Sequence, residues 1–143
     1  MAMLRYGLSL CLMISSILSF SQTKLPSLTI ENTDQSATFD KLVELLGDSD
    51  YFIQNMEKEA GFIQVKSVVK KRGIFAKRAG NKIVYNILLK PTGEGATQIR
   101  LQANREISDR TEDGYYYRDE GVSDDPKDYE ELLTFIGSHL KNQ

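Results

Sequence analysis

Hydrophobic residues in the middle of the chain recur with a period of two, which is typical of strands because alternate side chains of a strand lie on opposite faces of a sheet. The pattern runs through FIQVKSVV (62–69), KIVYNILLK (82–90) and TQIRLQANREI (97–107). The run YFIQNM (51–56) and the turn-like KEAG (58–61) precede the first of these segments. We therefore predict four strands joined by short turns in an antiparallel meander.

Two segments have instead the 3.6-residue period of an amphipathic helix. In residues 36–47 the apolar face consists of Phe39, Leu42, Val43 and Leu46. In residues 127–143 the apolar stripe consists of Tyr129, Leu132, Leu133, Ile136 and Leu140. We predict that Ser36 caps the first helix and that Gly47 ends it in a left-handed conformation.

The remaining segments complete the order of elements. SLTIE (27–31) is a short strand before the first helix, and residues 108–126 are a polar loop in which Asp124 or Asp125 caps the second helix and Pro126 enters its first turn. The order β-α-β-β-β-β-α predicts an α+β fold. Its antiparallel sheet has four to five strands and packs against two helices.

The first residues have the plan of a secretory signal peptide. Arg5 precedes the apolar run YGLSLCLMISSILSF, and the small residues Ser19 and Ser21 favour cleavage before Gln22. The apolar run is too short to favour a membrane-spanning helix, so an uncleaved anchor is the weaker alternative. The predicted divisions are a signal peptide (1–21), a tether (22–27) and a single α+β domain (28–143).

Export and charge limit the classes of function. Cys11 is the only cysteine and would leave with the signal peptide, so we expect a disulfide-free domain in the periplasm, at the outer membrane or outside the cell. The chain has 18 basic and 20 acidic residues, a balance that gives no general reason to expect a nucleic-acid partner. Residues 66–82 carry only basic charges and residues 106–131 are rich in acids. These two regions are either solvated or face each other.

The segment ATFDKLVELLGDSDYFIQNMEKEAGFIQVK (37–66) resembles the repeat unit of the outer-membrane β-barrel assembly lipoprotein C. It is similar also to small secreted TBP-like, helix-grip domains of unknown function. Asp40, Leu42, Val43 and Leu46 match the helix of these units, and EKEAGFI (57–63) matches their turn. The resemblance covers about residues 28–69 and implies a helix-grip fold and an envelope setting, without a catalytic residue. The lipobox cysteine of the lipoproteins is missing.

The chemistry of known sites is not evident in the sequence. His139 is the only histidine and has no second histidine or cysteine with which to hold a metal. The acidic run DEGVSDDPKD (119–128) lacks the spacing of a calcium-binding EF-hand loop. The GEGA turn (93–96) lacks the motif of a phosphate-binding loop. We therefore expect no enzymatic activity, no cofactor and no metal site.

Two surface features are candidates for binding. In KKRGIFAKR (70–78) an apolar pair lies between cations, as in contacts with an anionic membrane or an acidic partner; the alternative is an ordinary hairpin with Phe75 on the core. The run GYYYR (114–118) offers apolar area with polar tips; the alternative is an edge strand under the last helix. The candidate binding residues are Lys70, Lys71, Arg72, Phe75, Lys77, Arg78, Tyr115, Tyr116, Tyr117 and Arg118.

These features predict a non-enzymatic binding or scaffold module of the cell envelope, whose partner is an envelope protein or an anionic membrane surface. A small-ligand carrier or enzyme would need a pocket between the sheet and the helices that holds Tyr116 or Arg118. A secreted cystatin-like inhibitor is a third alternative, because a helix followed by four antiparallel strands is also the cystatin order. The segment QVKSV (64–68) does not match the cystatin QxVxG loop.

Liposome flotation tests the membrane hypothesis. If the basic run contacts anionic lipid, changing Lys70, Lys71, Arg72, Lys77 and Arg78 to Gln will reduce the fraction of protein that floats with anionic liposomes, because the attraction is electrostatic. Equal flotation of the two proteins would refute a membrane contact by this run.

Overall fold

The structure, a computed structural model, describes residues 25–68, 80–93 and 95–141. The predicted signal peptide lies outside these residues, and so does the basic run 70–78. The elements of the described part follow in the order β1 (Ser27–Ile30), α1 (Gln35–Gly47), β2 (Phe52–Glu57), β3 (Phe62–Val68), β4 (Lys82–Thr92), β5 (Ala96–Thr111), β6 (Gly114–Val122) and α2 (Lys127–Leu140).

All six strands belong to one antiparallel sheet. The strand order is β1-β5-β4-β3-β2, and β6 pairs with β5 as well. The predicted α+β class, with an antiparallel sheet packed against two helices, is confirmed. The predicted count of four to five strands and the order β-α-β-β-β-β-α differ from the structure, which has a further strand before the second helix.

The additional strand lies where the sequence predicts a polar loop. Strand β5 continues to Thr111 and turns into β6 at Gly114, which has a φ of 137°. Most side chains of β6 are exposed or half-buried on both faces. Its sequence therefore lacks the alternation of buried and polar residues by which a strand is predicted.

The core lies between one face of the sheet and the two helices. The alternation predicted for residues 82–90 is observed, since this strand buries Ile83, Tyr85, Ile87 and Leu89. From the helices, the core includes Phe39, Leu42, Leu46, Tyr129, Leu132, Ile136 and Leu140. Val43 and Leu133, also predicted on these faces, are partly buried against it. The helical periodicities of the sequence thus identify the faces that pack on the sheet.

The ends of the helices differ in detail from the prediction. Asp34, not Ser36, caps α1, and its carboxylate accepts a hydrogen bond of 2.7 Å from the backbone N–H of Ala37. Gly47 is the last helical residue, and the residue after it, Asp48, has a φ of −89°, so the helix ends without a left-handed residue. At the start of α2 the Asp125 carboxylate accepts from the backbone N–H of Lys127 at 3.1 Å. The N-cap residue is Pro126, which has no side-chain cap hydrogen bond, so the predicted capping by Asp124 or Asp125 is replaced by this one contact from the residue before it.

The turn between β2 and β3 approaches β4 closely at Gly61. This glycine has a φ of +65°, and its carbonyl accepts a 2.8 Å hydrogen bond from the N–H of Leu89. A Cβ at this position would collide with the Gln35 amide and lie 2.7 Å from the Leu89 carbonyl oxygen. Gly95 has a similar φ of +69°, but a Cβ there would meet no atom within 4 Å.

Substitution of the two glycines distinguishes the cost of backbone strain from the cost of steric crowding, because both have a positive φ and only Gly61 is crowded. We expect Gly95→Ala to lower the free energy of unfolding by about 1 kcal/mol through strain alone. Gly61→Ala adds a collision with backbone and should cost about 2–4 kcal/mol in total. Urea unfolding of both variants measures the difference, and equal losses would show that the approach to Leu89 is not tight.

Candidate functional site

The structure describes only some of the predicted binding residues. Lys70, Lys71, Arg72, Phe75, Lys77 and Arg78 lie outside the described residues. Tyr115, Tyr116, Tyr117 and Arg118 lie on β6. The hairpin of β5 and β6 is therefore the candidate site within the described residues.

Pairing with β5 distributes the tyrosines over both faces of this hairpin. Tyr115 and Tyr117 pair with Arg110 and Ser108, and Tyr116 pairs with Asp109, so Tyr116 faces opposite to its two neighbours. Tyr115 and Tyr116 are 43% and 48% exposed, whereas Tyr117 is half-buried. Two adjacent tyrosines thus offer their rings to solvent on opposite faces of one strand.

The basic and acidic regions of the sequence meet beside this hairpin. The Lys82 ammonium lies 3.1 Å from the centroid of the Tyr117 ring, a cation–π contact. Lys66 forms an ion pair with Glu106 at 3.7 Å. The two ends of segment 66–82 therefore contact the acidic, tyrosine-bearing region, which agrees with the alternative that the two regions face each other.

Arg118 is engaged within the hairpin. Its Nε donates to Asp109 Oδ2 at 2.9 Å, and its guanidinium pairs with Glu120. The hydrogen bond with Asp109, followed by the charges of Glu120 and Asp109, raises the pKa of Arg118. The pair with Asp109 joins β6 to β5, whereas the pair with Glu120 lies within β6.

A second polar cluster joins β5 to the start of α2. Arg105 donates to Asp128 Oδ2 from Nε at 3.0 Å and from Nη2 at 2.6 Å. The Ser123 hydroxyl donates to the same oxygen, and the Tyr129 hydroxyl donates to the Ser123 carbonyl at 2.7 Å. The hydrogen bond to Asp128 is the largest cause of the raised pKa of Arg105. With Oδ2 of the buried Asp128 already accepting three hydrogen bonds, the cluster serves to fix α2 on the sheet.

An aromatic group lies about two turns further along α2. Phe135 packs between Tyr51 and His139, with ring centroids 5.8 and 4.8 Å away. Burial, with a smaller effect from the Glu131 charge, raises the pKa of Tyr51 to about 12. His139 Nδ1 lies 2.8 Å from the Phe135 carbonyl oxygen of the preceding turn. The contacts of His139 are thus with its own helix, as expected of a residue near the helix end.

Two concave regions lie on the described surface away from the hairpin. One, of about 680 Å³, lies where β1 leads into α1 and includes residues 29–34. The other, of about 490 Å³, lies between α1 and β2. A small-ligand carrier or enzyme would be favoured by a pocket lined by Tyr116 or Arg118. Neither of these two regions is lined by either residue.

The described residues contain neither a metal-binding cluster nor a helix that could span a membrane. Within 25–68, 80–93 and 95–141, no group of three or more His, Cys, Asp or Glu side chains is placed to hold a metal ion. Neither helix of this part of the chain has the length and apolar character needed to cross a bilayer.

The chain is similar at low sequence identity to a protein of known structure. No protein-family model and no curated protein matches the chain. Among solved structures, it is similar to a DUF4468 family protein from Bacteroides ovatus, with 12% identity and a TM-score of 0.38. The match covers 65% of this chain and 59% of that protein, less than two thirds of its length. The resemblance to the lipoprotein repeat and to TBP-like domains is not tested by these comparisons and stays a prediction.

The Arg105–Asp128 cluster yields a stability prediction with a matched control. Asp128→Asn removes the charge that Arg105 contacts twice, and we expect it to lower the free energy of unfolding by about 1–3 kcal/mol. Asp125→Asn alters a more exposed partner, 3.5 Å from Arg105, and asparagine also caps helices well. Its effect should stay below about 0.5 kcal/mol. Denaturant unfolding measures the free energy of unfolding of both variants. Similar decreases in the two would contradict an anchoring role for Asp128.

Proposed function

We propose that this protein is a non-enzymatic binding or scaffold module of the cell envelope, and that a partner protein contacts strand β6 from both faces, at Tyr115 on one face and at Tyr116 on the other. The observation that carries the proposal is the exposure of two adjacent tyrosine rings on a strand that is paired along its length with β5. We call these two residues the tyrosine surface.

Tyrosine suits such a contact for physical reasons. Its ring buries a large apolar area, its hydroxyl forms hydrogen bonds at the margin of an interface, and only two side-chain torsions must be ordered on binding. The strand that carries the two tyrosines is paired with β5, and the Arg118–Asp109 ion pair and the contact of Lys82 with Tyr117 join it to its neighbours. Binding therefore needs little further ordering of the backbone, which favours affinity.

The envelope setting is supported by the sequence alone. The N-terminal residues have the plan of a signal peptide, and residues 28–69 resemble the lipoprotein repeat and the TBP-like, helix-grip domains. Envelope proteins are accordingly the class in which we propose to find the partner, and nucleic acid is not expected. The described residues present no catalytic constellation that would favour an enzyme.

Site-specific photo-crosslinking in cells tests the proposal. Replacement of Tyr115 or Tyr116 by p-benzoylphenylalanine keeps an aromatic ring, so we expect each to give a defined adduct with the same envelope protein. Phe52, 69% exposed on the far edge strand, is the matched control position and should not give that adduct. In the converse experiment, Tyr115→Ser with Tyr116→Ser should weaken binding of the identified partner by about tenfold or more.

The proposal fails if no adduct forms at either tyrosine or if Phe52 gives the same adduct. It also fails if the double serine variant binds the partner as well as the unaltered protein does. Thermal unfolding of that variant shows whether a loss of binding reflects a loss of fold.

A further inference from the structure

A groove open to solvent lies between α1 and the edge strand β2. It has a volume of about 490 Å³ and is lined by Phe39, Asp40, Val43, Glu44, Met56, Glu57 and Lys58. Its apolar part comes from Phe39, Val43 and Met56, and Met56 is 54% exposed. A flexible methionine beside an aromatic ring adapts readily to an incoming apolar side chain. We call this feature the α1–β2 groove.

The margin of the groove carries uncompensated negative charge. Lys58 Nζ lies 2.7 Å from both carboxylate oxygens of Asp40, so these two residues neutralise each other. In the described part of the chain, Glu44 and Glu57 form no ion pair. An apolar groove with this margin fits a segment in which large apolar residues are flanked by Lys or Arg.

The chain itself contains such a segment. In KKRGIFAKR (70–78), which we call the basic segment, Ile74 and Phe75 lie between three cations on one side and two on the other. The function proposed above for Tyr115 and Tyr116 does not involve this segment. Its pattern of charge and hydrophobicity is the complement of the α1–β2 groove.

We propose that the α1–β2 groove binds the basic segment of a second copy of this protein. Ile74 and Phe75 would cover Phe39, Val43 and Met56, and the flanking cations would pair with Glu44 and Glu57. The contact is small, so self-association should be weak and concentration-dependent. Exclusion of water from the apolar pair supplies the attraction, and the charges supply the selectivity.

Chain geometry favours a second copy over the same molecule. The groove lies at the end of β2 that leads into β3, and the basic segment follows the opposite end of β3. The length of β3 separates the two by about 20 Å. Val68 and Lys82 are paired in the sheet, and Ile74 is six residues from Val68 in the sequence. Six residues span about 20 Å only at the limit of chain length, whereas a neighbouring molecule meets no such restriction.

Complementation between two variants tests the contact directly. Phe75→Ser damages the basic segment and leaves the groove intact, whereas Met56→Ser with Glu57→Lys damages the groove and leaves the segment intact. Each variant alone should self-associate about tenfold more weakly than the unaltered protein. Mixed, they should form a 1:1 complex in sedimentation velocity, because one undamaged groove and one undamaged segment remain. Phe52→Ser, an exposed residue of β2 that does not line the groove, should associate as the unaltered protein does.

A peptide provides an independent measurement. The peptide VKKRGIFAKRAG (69–80) should bind the purified protein, and its affinity should fall about tenfold with Phe75→Ser in the peptide. Affinity should also fall when salt is raised, since salt screens the charged margin. If the groove variant is unfolded, Glu44→Lys, a change at an exposed helix position, replaces it and should weaken peptide binding.

Three outcomes would overturn the proposal. The first is a protein that stays monomeric at all attainable concentrations and does not bind the peptide. The second is a peptide that binds the groove variants and the unaltered protein equally. The third is a monomeric protein in which Phe75→Ser makes the groove accessible to the peptide, which would place the segment in the groove of its own molecule. None of these results bears on the tyrosine surface, which lies on the opposite edge of the sheet.

Discussion

Strand β5 is hydrogen-bonded along both of its edges, and the placement of the other elements depends on this pairing. On one edge β4 runs beside residues 96–106, and on the other β1 pairs with 97–100 and β6 with 104–111. A slip of one residue would turn every side chain of β5 to the opposite face. The apolar face formed by Ile99, Leu101 and Ala103 therefore keeps the register, and the same register brings Arg105 to Asp128 and so locates α2.

The character of β5 changes along its length, and the candidate site follows from that change. From Thr97 to Ala103 every second side chain is buried and those between are half-buried or exposed, whereas beyond Ala103 the side chains are half-buried and finally exposed. Burial of apolar area no longer holds this part of the hairpin together. Backbone pairing between β5 and β6, the Arg118–Asp109 ion pair and the Lys82–Tyr117 contact remain there, and Tyr115 and Tyr116 are exposed.

Local patterns in the sequence predict the parts of the fold in which burial is one-sided. The buried residues of β4 and of both helices follow from periods of two and 3.6. Strand β6 cannot be predicted from such a period, because neither of its faces is buried. The contacts of Lys82 with Tyr117 and of Lys66 with Glu106 depend on the register between strands distant in sequence, which no local pattern contains. The sequence therefore predicts which tyrosines belong to the hairpin site. It does not predict the contacts that hold their strand in place.

The two proposed surfaces are independent for a geometric reason. The α1–β2 groove adjoins strand β2 at one end of the strand order, and the tyrosine surface is on β6, which pairs beyond β5 at the other. Four strand spacings of about 4.8 Å put these strands about 19 Å apart. A partner bound at one of these strands is therefore not expected to cover the other. The two proposed contacts are therefore sterically compatible in one molecule, as the scaffold role that we propose requires.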